Sequence, residues 1–174
     1  MSTRETYSAF RAMCLERFPV LSPDIEVCRK SDRKESGWEI VESIRDIKWP
    51  DLAVEQAITI GGEFNWVSDE WSKYLLPAHM CLSLESYTSR KYLDEAFEFT
   101  SDAEGYLIMR LEGLLDGKPH TFLWNTFTKP QADLVVFWLM LVGSLTASTI
   151  DFGDGTNLKS ERLVKLRDIL SSES

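Results

Sequence analysis

The chain has 174 residues, of which 44% are hydrophobic and 27% charged, and its net charge is −9. This length and apolar fraction fit one folded domain and exclude a wholly disordered or collagen-like chain. The acidic balance argues against a general nucleic-acid binder, because phosphate contacts need clustered Lys and Arg. We therefore expect a single domain over residues 1–174 that does not bind nucleic acid.

The N-terminal segment has the pattern of a capped helix. Ser2 followed by Glu5 forms a capping box, in which each side chain accepts a hydrogen bond from a free backbone N–H at the helix start. Apolar residues then recur at helical spacing until Pro19 ends the pattern: Tyr7, Phe10, Met13 or Cys14, and Phe18.

The next segment predicts two short helices and one ambiguous stretch. Ser36 with Glu39 forms a second capping box and opens the first of these helices. Trp49-Pro50-Asp51 ends it, and a second short helix is predicted over Asp51–Ile58. Ile58–Trp66 contains β-branched residues and a glycine pair, which favour a short strand or a tight turn.

A long helix is predicted from Ser68, its cap, to about Tyr87. Pro77 lies inside this helix and should kink it, because its ring removes one backbone hydrogen bond. The helix is apolar on two faces, which is typical of a helix in the middle of a bundle. Those faces consist of Leu75, Ala78 and Leu82, and of Leu76, Met80 and Leu84.

The C-terminal half predicts further helices over Ser89–Phe99 and from Ser101 to near Asp116. Thr128 and Gln131, with Pro130 in the first turn, then open a helix that runs to about Leu145. The apolar run Leu134–Val142 is about half of the roughly 18 residues that span a bilayer, so we assign it to a buried helix centre. A last amphipathic helix uses Leu163, Leu166 and Leu170.

These patterns together predict an all-α fold. We expect a single-domain bundle of about six to eight helices with buried central helices, one short strand or hairpin being left open. The helices over Ser68–Tyr87 and Thr128–Leu145 should form its core.

Catalytic and metal-binding motifs are not found in the sequence. His79 and Cys81 stand two apart on a predicted helix, so their side chains diverge and cannot form a nucleophile–base pair locally, and no motif supports a distant Cys81–His120 dyad. Metal-ligand spacings and phosphate loops are absent as well, so we expect neither metal nor cofactor and do not favour an enzyme.

Cysteine usage and the N-terminus bear on the compartment. The cysteines Cys14, Cys28 and Cys81 are too few and too scattered for a disulfide framework, and their odd number favours a reducing compartment. No apolar run follows the N-terminus, which argues against a secretory signal. The expected location is the cytoplasm.

Acidic residues are concentrated in the central segment, where residues 39–128 carry 16 acidic and 7 basic side chains. Such a field would attract a basic partner, although a helix surface kept acidic for solubility is the alternative. The local density is highest at Asp94, Glu95, Glu98, Asp102 and Glu104.

Two tryptophans border an acidic helix start in the same segment. Trp66 and Trp71 flank Asp69 and Glu70, and aromatic side chains beside carboxylates suit a partner that brings Arg or Lys. The alternative is that both tryptophans wedge between helices and fix the entry of the chain.

Two segments further resemble a known family. Ser68–Ala78 contains Tyr74-Leu75-Leu76-Pro77-Ala78, and Phe122–Gln131 follows later in the chain. Over about residues 40–145 this pattern is similar to a family of small bacterial helical domains of unknown function, whose motif is a Tyr-Leu-Pro-Ala helix. The present chain has one additional leucine before the proline. The resemblance implies a helical fold and a bacterial origin, and it assigns no catalytic residue.

The sequence thus favours a protein-binding module, most concretely a bacterial cytoplasmic immunity or antitoxin-like protein. It would neutralise a basic partner, such as a toxin or effector, by occlusion through the acidic residues and through Trp66 and Trp71. Small acidic domains without catalytic motifs are similar in composition to such proteins. Two alternatives stay open: a small hydrolase or other enzyme with a cleft near His79 and Cys81, and a homo-oligomeric structural subunit. No membrane partner is expected.

Overall fold

The structure is a computed structural model that describes residues 3–24, 43–53, 56, 68–88, 127–145, 164–166 and 168–169. The described residues form helices, turns and irregular segments, with no strand among them, which confirms the helical character of this part of the chain. The backbone contacts divide the chain into two units, Met1–Tyr106 and Leu107–Ser174. The expected total of helices and the single domain stay predictions.

The first unit begins with helix α1, Thr3–Arg17, as the capping-box pattern predicts. Its last turn closes where the Phe18 N–H donates to the Cys14 carbonyl at 2.9 Å, and Pro19 cannot continue the helix. Phe10, Cys14 and Phe18 are buried and lie four residues apart, so they form one apolar face of the helix.

A turn and a short 3-10 helix follow in residues 43–53. Ile44 is buried in the turn, and the 3-10 helix η1 comprises Trp49–Asp51. The prediction of a helix from Asp51 is wrong at its start, because Leu52 has extended backbone angles and ends η1. The described helical residue beyond it is Gln56, whose Oε1 accepts a hydrogen bond from the Ala53 N–H at 3.0 Å and caps the backbone there.

Helix α2, Asp69–Thr88, is the long central helix that the sequence predicts. Ser68 acts as its cap, since the Ser68 Oγ accepts a hydrogen bond from the Trp71 N–H at 3.4 Å. Side chains on every side of the helix are buried between residues 71 and 81, and Lys73 is the half-buried exception. This burial confirms that α2 is a buried helix, and α2 packs against α1 and η1.

The second unit contains helix α3, Lys129–Leu145, with the predicted start and end. The Thr128 N–H donates to Gln131 Oε1 at 2.9 Å, which is one half of the expected capping box. One face is buried, but Phe137 and Met140 are exposed, so the assignment of the whole run Leu134–Val142 to a buried centre is wrong for these two positions. The buried face comprises Ala132, Leu134, Val135, Trp138, Leu139 and Val142.

Helical residues at 164–166 and 168–169 agree with the predicted last helix, and Leu166 is buried there. The helix expected after Ser36 is described only from Ser43, where the chain forms a turn and not a helix. Other predictions lie outside the described residues: the strand or turn at Ile58–Trp66 and the helices beginning at Ser89 and Ser101. In the described part of the chain, no helix combines the length and the apolar character that crossing a membrane requires.

Candidate functional site

The residues predicted to contact a partner are described only around the start of α2. Asp69 is the first residue of the helix, Glu70 is exposed on its first turn, and Trp71 is fully buried. The others lie outside the described residues: Trp66, Asp94, Glu95, Glu98, Asp102 and Glu104.

Trp71 belongs to the core of its unit. Its ring packs edge-on against Tyr74, with ring centroids 5.2 Å apart and ring planes at 81°. Such a T-shaped aromatic pair adds to the stabilisation that burial itself provides. The side chain has 0% exposure, so it fits the structural wedge at the helix entry that the sequence left open, rather than a surface anchor.

The Tyr74 hydroxyl connects three segments of the chain. It accepts a hydrogen bond from the Trp49 N–H at 3.1 Å and donates one to the Val20 carbonyl at 3.0 Å. Burial raises the pKa of Tyr74, so the hydroxyl keeps its proton and its donor role at physiological pH. This hydroxyl therefore holds the residues after α1 and the start of η1 against α2.

Two further hydrogen bonds fasten η1 to the first helix and to the residues after it. The Trp49 indole Nε1 donates to the Pro19 carbonyl at 3.0 Å, and Arg11 Nη2 donates to the Pro50 carbonyl at 2.9 Å. Both acceptors are proline carbonyls. These polar atoms of η1 and its neighbours thus serve cohesion within the unit.

His79 and Cys81, the residues of the predicted alternative enzyme, are both buried in α2. Burial lowers the pKa of His79 to about 3, so its imidazole is neutral at pH 7. Each side chain is only 4% exposed, and a substrate in solution does not reach either of them in this structure. The geometry therefore gives the enzyme alternative no support.

Cys81 instead meets Cys14, a pairing that the sequence did not predict. Both cysteines are buried and free, one on α2 and one on α1. Two causes raise the pKa of Cys14: first its hydrogen bond with the Cys81 thiol, and second its burial. The positive charges of Arg17 and Arg11 act in the opposite direction. The interface between the helices thus brings the two thiols together, and the Cys14 thiol keeps its proton.

A polar pair, Tyr7 of α1 and Glu85 of α2, lies in the same interface between the two helices, near the start of α1. The Tyr7 hydroxyl donates to Glu85 Oε2 at 3.2 Å. Burial and the negative charge of Glu85 both raise the pKa of Tyr7, so the phenol stays protonated. The proton of this bond therefore stays on Tyr7, which is the donor.

Among the described side chains of α3, Phe137 and Met140 are the most exposed apolar ones, with 39% and 56% exposure. They lie three residues apart and hence on neighbouring turns of one helix face. Val136 and Leu141, next to them, are partly exposed. These four side chains, called the α3 apolar face below, form a continuous apolar stripe.

In the described residues, no group of three or more His, Cys, Asp or Glu is arranged to hold a metal ion.

Comparison with known protein families, with curated proteins and with solved structures finds no match to the chain. The resemblance to the bacterial helical-domain family therefore stays a prediction from the sequence. Any functional proposal accordingly depends on the surface and the charge of this chain alone.

Proposed function

We propose that the chain is a protein-binding module that neutralises a basic partner by occlusion, in the manner of bacterial cytoplasmic immunity or antitoxin proteins. The observation that carries the proposal is the α3 apolar face, with Phe137 and Met140 exposed on a helix that otherwise has a buried face. The net charge of −9 supports the basic character of the partner.

The composition of the α3 apolar face suits a protein interface. Aromatic residues and Met are enriched at the centres of interfaces, and the flexible Met side chain adapts to the surface that it meets. Covering apolar surface stabilises a complex by about 25 cal/mol per Å² before the costs of association are subtracted. Phe137 and Met140 are therefore the proposed anchors.

The charge supplies long-range attraction. The excess of acidic residues over residues 39–128 would steer a basic protein and raise its association rate at low salt. Within this excess we assign steering to the following residues: Glu70, Asp69, Asp94, Glu95, Glu98, Asp102 and Glu104. Trp66 remains a proposed contact, and Trp71 is assigned to the core.

Capture from a lysate of the source organism, followed by titration with the purified partner, tests the proposal. The binding variant is the double substitution F137S/M140S. The matched control is Leu21→Ser, because Leu21 is 78% exposed but lies in the other unit. We expect one stoichiometric basic partner, held by the wild-type chain and by the control and lost by the double variant.

The charge is tested separately with the purified partner. Reversal of Asp94, Glu95 and Glu98 to Lys should slow association and flatten its dependence on salt. Unchanged association in this triple variant would remove these residues from the proposal. Retention of the partner by F137S/M140S would remove the α3 apolar face. If the solution mass of the wild-type chain rises with concentration and that of F137S/M140S does not, the same face is a homo-oligomer contact and the proposal of a basic partner fails.

A further inference from the structure

The register between α1 and α2 is fixed by hydrogen bonds at both ends of their interface. At one end, Tyr7 of α1 bonds Glu85 of α2 at 3.2 Å. At the other end, Val20, just after α1, accepts from Tyr74 of α2 at 3.0 Å. As the residue numbers increase along α1, the numbers of the contacting residues in α2 decrease, so the two helices run antiparallel.

This register brings Cys14 and Cys81 to the same level of the interface. From the bond between Tyr74 and Val20, Cys14 lies six residues back along the chain and Cys81 lies seven residues further along α2, so the two offsets are nearly equal. Both thiols are buried and free, and Cys81 is the neighbour that raises the pKa of Cys14 most. The two sulfur atoms come from helices that are far apart in sequence, so a covalent bond between them would link α1 directly to α2.

We propose that Cys14 and Cys81 form a reversible disulfide that locks α1 onto α2 when the cell becomes oxidising. The reduced pair is the resting state, and the oxidant is a low-molecular-weight disulfide of the glutathione type. The proposal is independent of the proposed function, because neither cysteine lies on the α3 apolar face.

The reaction proceeds by thiol–disulfide exchange in two steps. The thiolate of one cysteine attacks a sulfur of the small disulfide, forms a mixed disulfide and releases one small thiolate, which takes up a proton. The second cysteine then loses its proton and attacks the protein sulfur of the mixed disulfide, and a second small thiol leaves. The two protein thiols together lose two electrons and two protons, which the small disulfide gains as two thiols.

Access to the pair limits the first step. Both thiols are buried, and the contact with Cys81 together with burial holds the pKa of Cys14 above its ordinary range. The closed helix pair therefore reacts slowly, and the oxidant reaches a thiolate only when α1 lifts from α2. When α1 packs again, it places the second thiol against the mixed disulfide, so the second step is fast. Oxidation thus captures α1 in its packed position.

The experiment uses the full chain carrying Cys28→Ser, so that only Cys14 and Cys81 can react. The reduced protein is incubated with oxidised glutathione, and the products are followed by intact mass and by peptide mapping without reduction. We expect the mass to fall by two hydrogen atoms, with one Cys14–Cys81 linked peptide, and to return with dithiothreitol. The rate should reach a plateau at high glutathione disulfide, because opening of α1 becomes limiting.

Two comparisons make the test decisive. The variants C28S/C14S and C28S/C81S, which lack one partner, should accumulate the glutathione adduct instead of the internal link. If they do not fold, the melting temperature of the C28S protein before and after oxidation replaces them, and the link should raise it by about 5 °C or more. A stable glutathione adduct in C28S, or a link that forms only in denaturant, would overturn the proposal.

Discussion

Helix α3 is richer in apolar residues than α2, yet it buries less of its surface. Between residues 71 and 81, α2 buries every side chain except Lys73, whereas α3 leaves Phe137 and Met140 exposed beside a buried face. Apolar content alone therefore does not separate a core helix from one with a face available to a partner. What distinguishes them is how much of each helix surface other parts of the chain cover, as α1 and η1 help to do for α2.

The largest expected effect compares an aromatic residue of each helix. Trp71→Ala should lower the free energy of unfolding by about 3–5 kcal/mol, because it leaves a cavity and removes the ring contact with Tyr74. Phe137→Ala should cost less than about 1 kcal/mol, because its side chain is already partly in water. Urea unfolding measures both values, and equal losses would break the distinction between the two helices.

An intermediate effect concerns pH and the buried His79 of α2. In the unfolded chain its pKa has the ordinary value of 6.5, and in the folded chain burial lowers it to about 3. The unfolded state therefore binds a proton first, and stability that is present above pH 6.5 is lost as the pH falls towards 3. The slope approaches about 1.4 kcal/mol per pH unit within this window.

Unfolding of variants in urea at several pH values between 7 and 4 isolates this contribution. His79→Gln should remove that part of the slope, and the control His120→Gln should retain it. Equal slopes in the wild-type chain and in His79→Gln would show that another group causes the pH dependence.

The smallest expected effects lie at the helix starts. Ser68→Ala removes the oxygen that accepts from the Trp71 N–H of α2, and Gln131→Ala removes the acceptor for the Thr128 N–H of α3. Each should cost about 0.5–2 kcal/mol, as is usual for a lost N-terminal cap. The bond at Ser68 is longer, 3.4 Å against 2.9 Å, so we expect the smaller loss there. Thermal unfolding followed by circular dichroism measures the loss of stability in both variants. A larger loss in Ser68→Ala than in Gln131→Ala would show that the hydrogen-bond length does not predict the strength of the cap.

The sequence predicted the local features of the fold well. The bounds of α1, α2 and α3 follow from capping residues and from Pro19, whose effects are confined to one helical turn. The helix expected from Asp51 does not begin there, because Pro50 and the bond from the Asp51 N–H to the Lys48 carbonyl make a 3-10 turn at that point. The spacing of apolar residues does not show whether a 3-10 turn or an α-helix begins at a given residue.

Features that depend on two distant segments were not predictable in the same way. Cys14 was recognised as a position on the apolar face of α1, but its contact with Cys81 depends on the register of two helices. The burial of Trp71 and the exposure of Phe137 likewise depend on what covers each helix, although both residues follow helical spacing. A signal for the thiol pair was nevertheless present, since both cysteines lie among apolar positions of predicted helices.

The bond between the Trp49 indole and the Pro19 carbonyl, 3.0 Å long, has a consequence for the evolution of the chain. It joins two positions 30 residues apart, so the chain between them leaves and returns to the same place. The entropy of closing such a loop changes only with the logarithm of its length, and a doubling costs about 0.6 kcal/mol. Insertions and deletions between Pro19 and Trp49 should therefore accumulate among homologues more readily than in α1 or α2.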